Sequence, residues 1–390
     1  MMNTEPKKIL AAGHICLDVI PDLPFFGEQL SSVLQPGCLV KIGECVTSTG
    51  GAVANTGLAL HKLGAPVGFL AKVGSDVFGE ALLGKLRAIE PSIAESMIVA
   101  ADSHTSYTVV LNPVGTDRIF LHHPGANDTF EAGDVTAGHF REAGLMHFGY
   151  PPLMESFFRH DGREMRRLFA KAREAGLATS LDVSMPDPNA ESGKIDWAGW
   201  LKNVLPETDI FLPSLDELAF MLRDCVYGET GSWDLKRALA EWCLEAGAGV
   251  LVLKCGSEGL YLRTAADRKR FARMEEQLGV SLEGEWAGRE LAGSCFRVEE
   301  AGTTGAGDCT IAGFLDALRR GLSPEETLRF ALAVGAFSVE AVDAASGIPA
   351  RREVDSRLAG AWEQHSFPAE SYAWNEADKA GIYRGPSDGK

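Results

Sequence analysis

The sequence predicts an α/β fold in which a doubly wound, mainly parallel sheet carries a second, small β-sheet. From Leu145 to Lys254, short apolar runs typical of buried strands alternate with segments of helical period. This alternation is typical of βαβ units in a parallel sheet. Two earlier regions, at about residues 15–48 and 104–123, show short alternating pieces separated by proline and glycine, which favour antiparallel strands. They interrupt the α/β pattern and therefore predict the small sheet.

The individual elements follow from the apolar periods along the chain. Strands are predicted at residues 8–20, 38–42, 66–74, 105–122 (as a hairpin), 145–148, 178–183, 209–212 and 249–254. Helices are predicted after Gly51 and at residues 76–86, 155–175, 194–204, 215–223, 233–246, 309–318 and 330–338. Residues 264–296 are more polar and longer than a connection between two strands should be, so the sequence leaves their role open. We expect one domain over residues 1–362 and, because residues 363–390 lack an apolar period, a surface-attached or loose tail.

The composition excludes several classes of protein. Hydrophobic residues make up 45% of the 390 residues, yet no apolar run approaches the roughly 18 residues that span a membrane. The formal net charge of −17 argues against nucleic acid or an anionic membrane as a partner. The eight cysteines are scattered without a Cys-x-x-Cys pair, which indicates buried thiols in a reducing compartment. Residues 1–8 are polar and leave no room for a signal peptide, so we expect a cytoplasmic protein.

The strongest candidate for chemistry is the glycine-rich stretch Ala301–Asp308, which precedes an apolar segment of helical period. Gly305, Ala306 and Gly307 keep bulky side chains away from the helix start, so its free N–H groups can turn toward an anion. Asp308 would repel a bound phosphate unless it takes a proton from a nucleophile. Together they favour phosphoryl transfer to an alcohol. The alternative is a glycine-rich loop in which Asp308 is an ordinary helix cap.

The same stretch resembles the second signature of the PfkB (ribokinase-like) carbohydrate kinases, commonly Asp-Thr-x-Gly-Ala-Gly-Asp. The matching residues are Thr303, Gly305, Ala306, Gly307 and Asp308. Gly302 stands where the first Asp is usual. Residues 50–74 resemble the first signature of the family, with its spacing kept at Gly50, Gly51, Asn55, Gly64 and Gly74 and departures at Val53 and Gly57. The resemblance covers about residues 8–355 and implies a ribokinase-like fold in which the small sheet is a lid over the sugar.

Candidate residues for binding an acceptor lie near the N-terminus. Asp18 ends the first predicted strand, and open α/β sheets bind ligands at the carboxyl ends of their strands. A simple turn is the alternative, but the resemblance favours a substrate role, because the family has a substrate Asp at a similar place. Gly50 and Gly51 would let a ligand approach the backbone, although close packing alone explains such a pair. Asn55 can donate and accept hydrogen bonds toward a polyol.

Candidate residues for binding a nucleotide lie in later turns. The resemblance aligns Ser214 and Glu217 with the family's Asn-x-x-Glu, in which the Glu organises water around magnesium. Glu217 matches this pattern and Ser214 departs from it. Ser-x-x-Glu before an apolar helix is equally a capping box. Lys254 ends a strand of Leu and Val, and Gly256 and Gly259 match the family's nucleotide-binding turn. A plain β-turn is the alternative for these two glycines.

These features predict an ATP-dependent kinase that phosphorylates a hydroxymethyl group on a sugar, sugar acid or nucleoside. Asp308 would be the base, the N–H groups of Gly305–Gly307 would form the anion hole, and Thr303 would contact the nucleotide. ATP and Mg2+ are the implied cofactors, and the resemblance also suggests a homodimer through the lid. The rival hypothesis is a sugar- or nucleoside-binding sensor that has kept the fold and lost turnover, since both signatures show departures.

The resemblance also raises the question of a monovalent cation. Many relatives bind potassium beside the anion hole, using the residue at the position of Gly302 and neighbouring carbonyls. An Asp there supplies a hard anionic oxygen, whereas Gly302 offers only its main-chain oxygen. The sequence therefore predicts weak or absent activation by potassium, unless Glu299 or Glu300 reaches the site instead.

Overall fold

The polypeptide forms a large sheet, a smaller sheet and helices on both sides of the large one. A computed structural model describes residues 7–25, 27, 30–115, 118–229, 231–368, 373–377 and 379–389. The strands are β1 (Lys8–Gly13), β2 (Cys16–Pro21), β3 (Cys45–Gly50), β4 (Val67–Leu70), β5 (Lys72–Gly74), β6 (Ile98–Ala100), β7 (Tyr107–Leu111), β8 (Ile119–His123), β9 (Ala143–Gly149), β10 (Ala178–Leu181), β11 (Ile210–Phe211), β12 (Val250–Lys254), β13 (Leu260–Thr264), β14 (Glu290–Gly293), β15 (Asn375–Glu376) and β16 (Ile382–Arg384). The helices are α1 (Leu30–Val33), α2 (Ala52–Lys62), α3 (Val77–Ile89), α4 (Glu155–Phe158), α5 (Arg163–Glu174), α6 (Trp197–Val204), α7 (Leu215–Met221), α8 (Trp233–Glu245), α9 (Arg268–Leu278), α10 (Ala306–Arg319), α11 (Pro324–Val339) and α12 (Arg351–Ala359).

The main sheet confirms the predicted α/β fold. Within the described residues its strand order is β15-β16-β14-β13-β12-β11-β10-β9-β1-β4. Neighbouring strands are parallel from β4 to β12 and antiparallel from β12 to β15. Parallel strands place their carboxyl ends along one edge of the sheet, where α/β proteins bind ligands. The turns after β1, β9, β10, β11 and β12 therefore meet at the same edge.

Each face of the main sheet has its own hydrophobic core, as a doubly wound fold requires. On β1, Ile9 and Ala11 point to the face that is covered by α2, α10 and α11. Leu10 and Ala12 point to the opposite face, which is covered by α5, α6 and α8. Burial on both faces explains why β12 is a continuous run of Val and Leu rather than an alternating pattern.

The small sheet, here called the lid, consists of β2, β3, β7 and β8 in the order β3-β2-β7-β8. The predicted hairpin is confirmed as the antiparallel pair β7–β8. The prediction of a strand at residues 38–42 is wrong, because these residues lie in an exposed connection before β3. Their alternating pattern finds no partner, since β3 and β7 already occupy both edges of β2.

Residues 264–296, whose role the sequence left open, contain helix α9 and strand β14. Arg270 and Arg273 of α9 form ion pairs of 3.1 and 3.0 Å with the buried carboxylate of Asp209. The polar character of this region therefore reflects a helix that is bound to the sheet through charges. None of the helices in the described ranges combines the length and apolar character that crossing a membrane requires.

Part of the predicted tail pairs with the edge of the main sheet. Strand β16 lies antiparallel to β14, and its Ile382 is fully buried. Further along, Asp388 accepts a hydrogen bond of 2.7 Å from Nε of Arg289. Residues 369–372, 378 and 390 of the predicted tail lie outside the described residues. The boundary at residue 362 stays a prediction.

Candidate active site

The centre of the candidate site is Asp308, a nearly fully buried residue in the first turn of α10. The helix begins after Gly305, whose φ of 71° lies in the left-handed region. A β-carbon at Gly305 would lie 2.2 Å from Cβ of Ala344, so only glycine fits there. No side chain within the described residues caps this helix end. The N–H groups of its first turn have no intrahelical acceptor, although Ala306 N donates to the main-chain oxygen of Thr303 over 3.2 Å.

Two other segments of the chain, α2 and the turn after β9, contact Asp308. Asn55 of α2 donates from Nδ2 to Oδ2 over 2.9 Å. Tyr150, directly after β9, lies with its hydroxyl 2.9 Å from Oδ1 and 2.8 Å from Oδ2. Thr56 donates to the main-chain oxygen of Asp308 over 3.4 Å. The sequence predicted Asn55 as a site residue but missed Tyr150, whose only signal is its place at the end of a buried strand.

The surroundings of Asp308 set its proton affinity. Burial raises the pKa of this carboxyl, because the charged form is poorly solvated. Hydrogen bonds from Asn55 and Tyr150 and the positive charge of Lys254 oppose this effect without cancelling it. The carboxyl is therefore a stronger proton acceptor than an exposed one, while the donors still stabilise its ionised form.

Lys254 lies at the end of β12 and extends along the same edge of the sheet. Its Nζ atom donates to Oδ1 of Asp182 and to the main-chain oxygen of Leu212. Burial alone would lower the pKa of Lys254, but the carboxylates of Asp182 and Glu217 outweigh burial and raise it. A β-carbon at Gly307 would lie 3.6 Å from Cε of Lys254, so the lysine passes beside the helix start. The sequence missed Asp182, which directly follows β10.

Asp18 faces Gly50 at the base of the lid. Asp18 belongs to strand β2, rather than to a turn after the first strand. A β-carbon at Gly50 would lie 2.3 Å from Oδ2 of Asp18, so glycine is needed beside this carboxylate. Cys16 donates to Oδ1 of Asp18 over 3.3 Å. Burial raises the pKa of Asp18, although hydrogen bonds from Cys16 and Thr108 act in the opposite direction.

Two histidines that the sequence analysis did not single out join the lid to the main sheet. His14 lies between β1 and β2, and its Nε2 is 3.4 Å from Nε2 of His122 in β8. Burial lowers the pKa of His14 to about 3, and burial also lowers the pKa of His122. A β-carbon at Gly51 would lie 2.5 Å from Nδ1 of His14. These uncharged imidazoles therefore lie beside the glycine pair that was predicted to bind an acceptor.

The lid also reaches the loop before α10. Arg118, which immediately precedes β8, donates from Nη2 to the hydroxyl of Thr304. Thr304 belongs to the glycine-rich stretch that the sequence singled out. The contact joins the lid to the loop before α10.

Ser214 and Glu217 form the capping box that the sequence analysis considered. Ser214 N donates to Oε2 of Glu217 over 2.7 Å, and Glu217 N donates to Oγ of Ser214 over 3.2 Å. The charge of Glu217 nevertheless raises the pKa values of both Asp308 and Lys254, which places it within electrostatic reach of the site. Within the described ranges, no three His, Cys, Asp or Glu side chains group as a ready metal site.

The predicted nucleotide turn follows Lys254. Gly256 and Gly259 have φ values of 57° and 99°, and a β-carbon at Gly259 would lie 2.0 Å from the oxygen of Gly293. Gly259 is therefore required by the backbone of the turn, whereas Gly256 is favoured only by its left-handed φ. Thr303 is exposed in the loop before α10, where its main-chain oxygen accepts a hydrogen bond from Ala306 N.

Comparison with known proteins adds a family and a fold. The sequence profile described as "pfkB family carbohydrate kinase" matches residues 6–351. A protein of Archaeoglobus fulgidus described as an uncharacterized sugar kinase is 26% identical over 298 residues, which cover 76% of this chain and 100% of the relative. The structure of Arabidopsis thaliana ribokinase with ribose and ATP superposes with a TM-score of 0.67 at 20% identity, covering 90% of this chain and 98% of the ribokinase. A ribokinase II of E. coli in complex with ATP and Mg2+ gives a TM-score of 0.65 at 21% identity, covering 90% and 99% of the two chains.

Proposed function

Since the chain belongs to the pfkB family of carbohydrate kinases, we propose that it transfers the γ-phosphoryl group of ATP to a hydroxymethyl group on a sugar, sugar acid or nucleoside. The observation that carries this proposal is the position of Asp308. A buried carboxylate, held by Asn55 and Tyr150, lies at the open start of a helix. A proton acceptor beside a set of anion-binding N–H groups suits phosphoryl transfer to an alcohol.

In the proposed reaction, Asp308 accepts the proton of the acceptor hydroxyl. The hydroxyl oxygen forms a bond to the γ-phosphorus, and the bond between this phosphorus and the β–γ bridging oxygen breaks, so that ADP leaves with the electron pair. The N–H groups of Gly305 and Gly307 stabilise the charge on the transferring group, and that of Ala306 joins them by exchanging its 3.2 Å hydrogen bond to the main-chain oxygen of Thr303. Lys254, whose stem passes beside Gly307, adds a positive charge at the same edge. Positioning and electrostatics supply most of the rate enhancement.

We place the acceptor between the lid and α2. Asp18 would accept hydrogen bonds from its hydroxyls, and Asn55, which has two N–H donors, could donate to both Asp308 and the acceptor. Gly50 and Gly51 let Asp18 and His14 lie directly against the backbone beside this space, because any side chain at either glycine would overlap with them. In the Arabidopsis ribokinase structure the sugar is ribose, which is one candidate acceptor for this chain.

We place the nucleotide on the other side of Asp308, with Ser214, Lys254, Gly256, Gly259 and Thr303 as its contacts. The related E. coli ribokinase II binds ATP and Mg2+. Magnesium binds proteins through one or two carboxylates, several waters and substrate phosphates. A single carboxylate such as Glu217, whose charge reaches Lys254, therefore fits this mode, and the bound ion would screen the phosphate charges.

We further propose that two copies of the chain associate through the lid. Ile119, Phe120 and Leu121 of β8 are 39%, 57% and 55% exposed, so the lid presents consecutive apolar side chains to solvent. Association would cover them. Light scattering on the protein and on Phe120→Glu tests this: a wild-type dimer that the variant disrupts is expected, and a wild-type monomer at high micromolar concentration would contradict it.

An ATP-consumption screen across sugars, sugar acids and nucleosides tests the proposed function. We expect ADP formation with one acceptor class and a phosphorylated product of matching mass. Binding of a sugar or nucleoside by calorimetry, without turnover by any acceptor, would instead support the sensor hypothesis. Neither binding nor turnover across the panel would contradict both hypotheses.

A further inference from the structure

Tyr150 has an unusual backbone conformation that directs its side chain toward α10. Its φ and ψ are 65° and 43°, in the left-handed region that residues other than glycine seldom adopt. The conformation is fixed by hydrogen bonds from Tyr150 N to the oxygen of Asp182 and from Leu153 N to the oxygen of Tyr150. The two residues after Tyr150 are prolines. The chain therefore holds a specific direction for this one side chain at the carboxyl edge of the sheet.

The hydrogen bonds to the Asp308 carboxylate are unevenly distributed over its two oxygens. Oδ2 is the acceptor for Asn55 at 2.9 Å and lies 2.8 Å from the Tyr150 hydroxyl. Oδ1 has a contact with the Tyr150 hydroxyl alone, at 2.9 Å, among the described residues. The Tyr150 hydroxyl has a single proton to share between the two oxygens, so the further bond from Asn55 makes Oδ2 the more fully occupied oxygen. Oδ1 therefore keeps the larger capacity for another donor.

We propose that Tyr150 is a positioning residue for the base: its hydroxyl bridges the two Asp308 oxygens and presents Oδ1 to the acceptor hydroxyl. This inference rests on the proposed role of Asp308. Tyr150 itself neither accepts the proton nor contacts the phosphoryl group in this scheme. It holds the carboxylate plane, so that Oδ1 stays available to the acceptor hydroxyl. Asn55 fixes the other oxygen and keeps the two ends of the carboxylate from exchanging.

The ionisation of the groups around Asp308 is consistent with this role. Desolvation raises the pKa of the Tyr150 phenol, and the carboxylates of Asp308 and Asp182 raise it further, so the hydroxyl remains a donor. The other groups that face Asp308 are Lys254, whose charge lowers the carboxyl pKa, and Glu217, whose charge raises it. The His14 ring lies 6.2 Å from the Tyr150 ring. Because the phenol stabilises the ionised carboxylate, its loss should raise the pKa of Asp308 further.

Tyr150→Phe tests the proposal, since phenylalanine keeps the ring and removes only the hydroxyl. We expect the acidic limb of the kcat–pH profile to move up by about one pH unit, the size typical of one lost hydrogen bond to a charged group. At a pH below the limb, kcat should fall about tenfold. Thr56→Val is the matched control, because Thr56 donates only to the main chain of Asp308. The acidic limb of the kcat–pH profile of Thr56→Val should stay at the wild-type position.

A second measurement applies if Tyr150→Phe loses turnover at every pH. The carboxyl carbon of Asp308 in 13C-aspartate-labelled protein, assigned with Asp308→Asn, should titrate at a higher pH in Tyr150→Phe than in wild type. An unshifted titration, or an unshifted limb in the active variant, would overturn the proposal.

If the variant does not fold, 3-fluorotyrosine incorporated in the wild-type chain replaces the test. Fluorination makes the phenol a stronger donor, so the limb should move down, and no movement would overturn the inference. Asp308→Asn separates the two levels of the argument. If Asp308→Asn retains turnover, the assignment of Asp308 as the base is wrong. If only the Tyr150 tests fail, the positioning role of Tyr150 is wrong and the assignment of Asp308 stands.

Discussion

The Nζ atom of Lys254 lies 2.6 Å from Oδ1 of Asp182 and 2.6 Å from the main-chain oxygen of Leu212. The side chains of Lys254 and Asp182 are 12% and 2% exposed. One positive charge is thus held at the carboxyl edge of the sheet near three carboxylates, those of Asp182, Glu217 and Asp308. Removing Lys254 leaves Asp182 without its cationic partner, whereas removing Asp182 leaves Lys254 with Glu217 and Asp308 as its remaining carboxylates.

We predict that Lys254→Met lowers the free energy of unfolding by about 3–5 kcal/mol, the usual cost of breaking a buried ion pair from one side. Asp182→Asn should cost less than this, because its amide oxygen can still accept from the lysine. The loss of unfolding free energy in the double variant should be smaller than the sum of the two single-variant losses by at least about 1 kcal/mol. Urea denaturation measures all three.

The exposed pair Lys194–Glu191 serves as the control for the buried pair. Its side chains are 65% and 61% exposed, and Lys194→Met should change the unfolding free energy by less than about 1 kcal/mol. Strictly additive losses in the buried pair would show that Lys254 and Asp182 are not coupled in solution.

His14 should make stability depend on pH. Burial holds the pKa of His14 in the folded protein at about 3, against about 6.5 in an unfolded chain. Between these values the unfolded chain binds a proton that the folded protein does not bind. The free energy of unfolding should therefore fall by up to about 1.4 kcal/mol per pH unit for this group as the pH is lowered through that window.

The variant His14→Gln should show a shallower decrease in unfolding free energy between pH 6.5 and pH 4 than the wild type. His104→Gln is a suitable control, because the His104 side chain is 85% exposed. Urea denaturation at several pH values gives the slopes. Equal slopes in His14→Gln and wild type would show that His14 is solvated or protonated in the folded protein.

Asp18→Ala should weaken acceptor binding and leave ATP binding unchanged. Hydrogen bonds to a charged group contribute about 1.5–3 kcal/mol, so the acceptor Kd should rise roughly 10- to 100-fold. Asp18→Asn, which keeps the size of the side chain, should have an acceptor Kd between those of the wild type and Asp18→Ala. Calorimetry measures the Kd values of ATP and of the acceptor that the substrate screen identifies. Lost ATP binding with retained acceptor binding would mean that the two subsites must be exchanged.

Potassium should activate this enzyme weakly or not at all, because Gly302 lacks a carboxylate. A β-carbon at Gly302 would lie 2.9 Å from the oxygen of Val342 and 3.2 Å from that of Ala341, so carbonyls crowd this position. The measurement is a rate titration with potassium against a bulky organic cation at constant ionic strength. A rise of about tenfold or more, equivalent to about 1.4 kcal/mol, would show that these carbonyls or a nearby Glu replace the missing ligand.

Local features of the site could be predicted from the sequence. The start of α10 is visible because Gly305, Gly307 and Asp308 lie within four positions, and the start of α2 because Gly51 directly precedes it. Such helix starts depend on neighbouring residues and on φ values that only glycine adopts easily. The order of strands and helices from β9 to β12 follows equally from local apolar periods.

Features that depend on distant pairing could not be predicted. Tyr150, Asp182 and His122 join the site only because β9, β10 and β8 bring them to one place, and no local pattern sets them apart from the other polar residues of their segments. The alternating residues 38–42 favoured a strand, but a strand needs a free partner edge, and β2 has none. The charges in α9 are typical of an exposed loop, and the sequence does not reveal that Arg270 pairs with the distant Asp209.

The most direct test of the account is the turnover of Asp308→Asn with the acceptor that the screen identifies. The account predicts that kcat falls by roughly 100- to 10,000-fold, the usual effect of losing a general base. ATP and acceptor should still bind with nearly wild-type Kd values, since asparagine keeps the size of the side chain and the N–H groups of the helix start remain. A variant that binds both ligands and turns over at close to the wild-type rate would contradict the assignment of Asp308 as the base.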